Sequence, residues 1–193
     1  HTSVALHDAL LACGLPAVEV HISDIAAWCG IAFADSSANP LYFAKTLYLN
    51  DAPVADIVIP DGVESIAQYA FNRCTNLTSV TIPDSVTSIG RDAFSSCSDS
   101  LYDTATIQGV KLVDGWAAGW TEAIPSDLNL SGIRGVVGSA FEGCKALTSV
   151  AISSSVTSIG NFAFSGCSGL KCVTIPDSVT NIGDYAFSGC SGL

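Results

Sequence analysis

A solenoid of short parallel strands and short helical turns is the fold that this sequence predicts, and three observations predict it. Cysteines stand at positions 74, 97, 144, 167 and 190, so the steps between them are 23, 47, 23 and 23 residues. The segments that lead to them are alike: VADIVIPDGVESIAQYAFNRC from Val54, LTSVTIPDSVTSIGRDAFSSC from Leu77, LTSVAISSSVTSIGNFAFSGC from Leu147 and LKCVTIPDSVTNIGDYAFSGC from Leu170. A further copy, DLNLSGIRGVVGSAFEGC from Asp127, is degenerate and has lost one residue between its strand and its turn. A period in the twenties is the signature of supersecondary units that cannot bury an apolar face alone and do so by stacking.

The chain begins outside the repeat. Residues 4–12 read as a helix that Gly14 and Pro16 stop, and Val18, Val20 and Ile22 alternate as a strand. Residues 25–53 form a first irregular island, in which Leu47, Tyr48 and Leu49 precede the turn pair Asn50-Asp51 and predict a hairpin.

Each repeat then reads the same way. Leu77, Val80 and Ile82 follow the L-x-x-L-x-L spacing of leucine-rich repeats and predict a short strand. Pro83 and Asp84 end it, because Pro cannot donate to a ladder and Asp favours turns. Val86 and Ile89 form a second apolar pair. Ile89, Ala93, Phe94 and Cys97 share one face of a one- or two-turn helix. Phe71, Phe94, Phe141, Phe164 and Phe187 are expected to form one aromatic spine, with the five periodic cysteines as inward, unpaired thiols. Gly90, Gly160 and Gly183 recur where Ala67 and Val137 also stand, so that position does not demand a positive φ. A second island, residues 99–126, holds Asp114-Gly115 as a hairpin signal.

Composition limits the function. Hydrophobic residues make up 49% and charged residues 13%, which excludes a disordered chain. A net charge of -11 argues against nucleic acid and anionic membrane surfaces as partners. No apolar run is long enough to span a bilayer, so no membrane insertion is expected. The absence of Met and the break at Leu193, where a further repeat would open, read as a fragment. No CxxC pair, GxGxxG or P-loop is present, so neither a zinc site nor a nucleotide cofactor is expected. Asp61, Asp84 and Asp177 read as solvated turn residues rather than calcium ligands. The histidines are His1, His7 and His21, so the repeats cannot build a Ser-His or Cys-His nucleophile.

The pattern IPDSVTSIG..AF..C resembles the BspA-like leucine-rich repeats of bacterial cell-surface proteins, strongly over 54–98 and 127–193. That resemblance implies an extracellular or cell-surface solenoid without a shared catalytic site, and adhesion to a protein or host-surface ligand. Residues 1–24 resemble a different family, the type II 3-dehydroquinate dehydratases. His21 falls on that family's catalytic histidine and Ser23 on a substrate-binding position, while Asp24 stands where the family has Asn and His7 where Arg is usual. The family's catalytic tyrosine, anchoring arginines and Asn-Pro-Gly stretch are absent. The expected organisation is therefore a dehydratase-like fragment over 1–24, a candidate N-terminal cap, followed by a solenoid over 25–193.

Candidate contacts follow from the strand alternation. Asp56, Ser79, Ser149 and Cys172 make one outward column, and Val58, Thr81, Ala151 and Thr174 the other. Ser79, Thr81, Ser149 and Thr174 offer weak contacts multiplied by repetition. The islands hold all three Trp. Trp116 and Trp120 read either as cover for an edge of the core or as an exposed patch for a partner.

Overall fold

The computed structural model describes residues 18–193, so the helix expected over 4–12 lies outside the described residues. Rungs of the solenoid occupy 54–76, 77–98, 127–146, 147–169 and 170–192, here rungs 1 to 5. The first strand of each rung is β4 (Asp56–Val58), β6 (Ser79–Thr81), β10 (Asp127–Leu130), β12 (Ser149–Ile152) or β14 (Cys172–Thr174). Within each of two sheets, β4-β6 and β10-β12-β14, first strands are parallel and in register, with Ile57 beside Val80 and Leu128 beside Val150 beside Val173. A second, two-residue strand follows a turn that is Pro-Asp in rungs 1, 2 and 5, Ser131-Gly132 in rung 3 and Ser153-Ser154 in rung 4: β5 (Ser65–Ile66), β7 (Ser88–Ile89), β11 (Gly135–Val136), β13 (Ser158–Ile159) and β15 (Asn181–Ile182).

The third wall is built differently from a helix. Ala70, Asn72 and Cys74 donate to Ala67, Tyr69 and Phe71, which is a chain of overlapping turns. Tyr69 and Arg73 take φ of 61° and 63°, the left-handed third position of type II turns. The alternate amides, Tyr69, Phe71 and Arg73, then point along the solenoid and donate to Arg91, Ala93 and Ser95 of rung 2 at 2.8–2.9 Å. These inter-rung bonds accompany a conformation that L-residues otherwise avoid. Rungs 3 and 4 repeat the pattern, as do rungs 4 and 5.

The core lies between the three walls. Leu77, Val80, Ile82, Val86, Ile89, Ala93 and Phe94 are all buried, as are their counterparts in rung 4. Phe71 stacks on Phe94 at 5.4 Å, and Phe141, Phe164 and Phe187 stack in turn at 5.1 and 5.3 Å. The expected single spine is thus two stacks. It breaks between Phe94 and Phe141 because the second island enters there.

That island is a hairpin of β8 (Val110–Val113) and β9 (Trp116–Trp120), turned through Asp114 and Gly115 with φ of 45° and 79°. β9 lies parallel to β11 and takes the place of a preceding rung on the second wall. On the first wall β6 and β10 do not pair. There Asp114 accepts the Ile82 amide at 2.6 Å, and Arg134 donates to the Ile82 and Pro83 carbonyls at 2.6 and 2.8 Å. Two charged side chains therefore replace the missing strand.

The first island closes rung 1. β1 (Val20–Ile22) lies parallel to β2 (Leu47–Leu49), which turns through Asn50 and Asp51 into β3 (Ala52–Pro53). Both turn residues have positive φ, as a two-residue hairpin requires. The indole of Trp28 and the amide of Asn39 donate to the Ala70 carbonyl, the group that a preceding rung would otherwise satisfy.

The recurrent glycine answers to close approach rather than to φ. A Cβ on Gly90 would stand 2.4 Å from the Gln68 nitrogen, and one on Gly160 2.4 Å from that of Gly138. Ala67 and Val137 follow islands instead of rungs: their amides donate to Cys29 and Ala117. Glycine is replaced where no regular rung precedes. Gly160→Ala is accordingly expected to lower unfolding stability by about 1–3 kcal/mol through overpacking. Ala67→Gly should cost no more than about 1 kcal/mol, through backbone entropy. Denaturant unfolding of both variants measures this, and a neutral Gly160→Ala would contradict the close-approach account.

Candidate functional site

The face of the first strands carries the expected columns. Asp56, Ser79 and Cys172 are exposed and Ser149 is half-buried. Beside them Val58, Thr81, Ala151 and Thr174 are all exposed, Val58 by 70%. Strand register sets Asp56 beside Ser79, and Ser149 between Asp127 and Cys172. The face is not one continuous surface, because β6 and β10 belong to separate sheets. Its hydroxyls are partly engaged: Ser149 donates to the Asp127 carboxylate at 2.6 Å, which holds that carboxyl below its usual range, with Thr148 adding a second bond.

The two indoles of the second island part company. Trp116 is 1% exposed. Its ring lies against the Cα of Gly135, where a Cβ would meet it at 2.3 Å, and the Arg134 guanidinium sits 5.8 Å from its centre. As the first residue of β9 it faces inward and covers the core edge left open by the break, so it offers no contact surface. Trp120, at the far end of β9, is partly exposed. Of the expected pair, Trp120 alone remains available.

His21 stands on β1, half-exposed, between two carboxylates. Its Nδ1 is 2.8 Å from Asp51 and its Nε2 3.1 Å from Glu19, and its ring stacks on Tyr48 at 4.6 Å. The bond to Glu19 first, and that to Asp51 next, raise its pKa above the ordinary value. Two carboxylates, one at each ring nitrogen, favour the protonated ring, whereas a general base needs one nitrogen free to accept. His21 and Ser23 line a shallow hollow of about 280 Å³ with Trp28 and Ile31. Asp24 is spent on structure: it accepts the Ala26 and Ala27 amides at 2.8 and 3.1 Å and caps the helix Ile25–Cys29. Among the described residues no group of three or more His, Cys, Asp or Glu could hold a metal ion.

The family model of the BspA type leucine rich repeat region matches residues 42–112 and 130–193, in six copies. The chain belongs to this family. The class II dehydroquinase model matches residues 1–36. No curated protein matches significantly. Among solved structures, a leucine rich cell surface protein from Faecalibacterium prausnitzii is 25% identical at a TM-score of 0.45, covering 72% of this chain and 46% of its own. The pneumococcal vaccine antigen PcpA is 15% identical at 0.42, covering 78% and 55%. A leucine rich repeat protein of T. pallidum is 22% identical at 0.30, covering 93% and 73%. The chain spans about half the length of the first two.

The BspA-type rungs also account for the periodic cysteines, which are free thiols. Cys97, Cys167 and Cys190 each donate to the carbonyl of the Phe one rung earlier, at 3.1 Å. Cys144 has no such bond. The acceptor it would use, the Phe94 carbonyl, takes the Tyr102 phenol of the island instead. Burial pushes the Cys167 thiol up to about 12, Cys74 up to about 11, and Cys97 upward as well. Cys172 is exposed on the strand face.

Alkylation of the native protein near pH 8 is expected to modify Cys172 well before Cys74, Cys144, Cys167 or Cys190, which become reactive on unfolding. Peptide mapping reads the order, and early modification of the buried set would refute the inward register. For His21, an NMR titration should place its midpoint above about 6.5. Glu19→Gln and Asp51→Asn should each lower it. With the folded pKa raised, its contribution to stability is complete below the unfolded value and fades as pH rises through the folded one. A midpoint at or below the ordinary value would show that the carboxylates do not hold the proton.

Proposed function

We propose that this chain is a non-enzymatic protein-interaction module of a cell-surface or secreted protein, adhesin-like in use. The exposed strand face carries the proposal: a repeated surface of small, mostly neutral side chains, Ser79, Thr81, Ser149 and Thr174 among them, on a rigid stack. Such a face gives little affinity per rung, and repetition supplies the rest through effective concentration. Trp120 at the island edge adds one large, stiff apolar group of the kind that anchors contacts. The net charge of -11 favours a protein or host-surface ligand over nucleic acid. Among the described residues no helix is long and apolar enough to cross a membrane.

The match over residues 1–36 favours a second reading, a dehydratase remnant or fusion whose lyase site is incomplete. One pair of assays separates the two. Retention of the purified chain on an immobilised, protease-sensitive host-surface extract should fall about tenfold in Thr81→Arg/Thr174→Arg, with the unfolding midpoint unchanged. Dehydroquinate should not be consumed. Unaltered retention in that variant would remove the strand face from the contact, and turnover that disappears in His21→Ala would overturn the non-enzymatic reading.

A further inference from the structure

The junction between rungs 2 and 3 is open on the turn wall. Every other junction there carries three amide-to-carbonyl bonds; this one has Asp92 to Gly138, at 3.2 Å. No bond crosses from the amides of Phe94 or Ser96 to the carbonyls of Ala140 or Glu142. Phe94 and Ala140 are nevertheless 1% and 3% exposed. Unpaired main-chain groups so deep in a protein are rare and call for a partner. At rung 1 the equivalent carbonyl, that of Ala70, receives both the Trp28 indole and the Asn39 amide, so the first island seals what the second leaves open.

The opening is a built cleft of about 210 Å³, lined among others by Asp92, Ser96, Tyr102, Lys111, Trp120 and Ser139. Tyr102 is locked by its phenol on the Phe94 carbonyl and by the Lys111 ammonium, 4.8 Å from its ring centre. Trp120 is half-exposed and packs one edge against the core. Burial holds the Asp92 carboxyl above its usual range.

These features select a ligand chemistry. Donors lie on the rung 2 side and acceptors on the rung 3 side, so an occupant must both accept and donate, as a hydroxyl does. An apolar occupant would leave those groups unpaired. The nearby cations are already engaged, Arg91 by Asp92 at 3.4 Å and by Glu142 at 3.1 Å and Lys111 over the Tyr102 ring, so an anion finds no free counter-charge in a chain of net charge -11. The volume suits one ring, and the indole supplies a flat face for its C–H groups. We propose that the split between rungs 2 and 3 is a binding site for a single neutral pyranose ring, free or at the tip of a glycan. This goes beyond the strand-face reading and does not depend on it.

The test is a titration of the whole chain with the methyl glycosides of glucose, galactose and mannose, followed by NMR. At least one glycoside should give saturable shifts at the Phe94 and Ser96 amides and the Trp120 indole, with a dissociation constant of about 1–10 mM. Asp92→Asn and Trp120→Ala should each weaken it about tenfold at an unchanged unfolding midpoint. If Trp120→Ala does not fold, Trp120→Tyr takes its place and should weaken binding about threefold. A disaccharide ending in the same sugar distinguishes the sources: equal or tighter binding assigns a glycan tip, weaker binding a free sugar. The proposal is overturned by the absence of saturable shifts at about 100 mM, by shifts confined to the Thr81 and Thr174 face, or by preference for a sialic acid or an extended tripeptide at the cleft.

Discussion

Everything in this molecule depends on hydrogen bonds that run between rungs. A rung has no sheet or core of its own; its amides and carbonyls find partners one rung before and one rung after, about 4.8 Å away. That spacing explains features that look unrelated in the sequence. Glycine recurs at 90, 160 and 183 because a Cβ there would enter the backbone of the rung before. Phenylalanine rings stack with interplanar angles of 4–8° because the rungs repeat without rotation over a short span. Cysteine suits the last turn because its thiol is small enough for the interior and long enough to reach the preceding Phe carbonyl.

A stack held this way has a problem wherever the repeat stops. A buried rung end with nothing against it exposes a row of unpaired main-chain groups, each costly to leave unmet. The two islands meet this with side chains in place of backbone. Trp28 and Asn39 serve the first rung, while Asp114 and Arg134 hold the loose edge of the second. Arg134 suits the task because its planar fork reaches two successive carbonyls, Ile82 and Pro83, while lying beside the Asp114 and Asp84 carboxylates.

Local signals were legible in the sequence and junctions were not. The strand register, the inward Leu-Val-Ile set and both hairpin turns follow from spacing and turn chemistry alone. Asn50-Asp51 and Asp114-Gly115 name their own φ values. The helical turn was legible as a turn, but its left-handed residues were not: Tyr69 and Asp92 adopt positive φ as third residues of overlapping turns whose amides point along the stack. The break in the Phe spine was also beyond reach, since it depends on where β9 docks. So was the burial of Trp116, which Gly135 permits from the neighbouring strand. One junction signal did stand in the sequence. Ala67 and Val137 replace the repeat glycine in the two rungs that islands precede, and the exceptions to the glycine mark where the stack is interrupted.

That distinction bears on where specificity can reside. Regular rungs use nearly all their polar main-chain groups on each other, and what they show to solvent is a repeated set of hydroxyls and small side chains. Repetition can build avidity from such a face, yet it cannot place unlike groups around one point. An interruption can. Where rung 2 fails to meet rung 3, Ser96 and Ala140, whose main-chain groups do not bond across the junction, line one cleft with a carboxyl, an ammonium and an indole. The regular rungs set the length and stiffness of this solenoid, and its chemistry is concentrated where their pattern is broken.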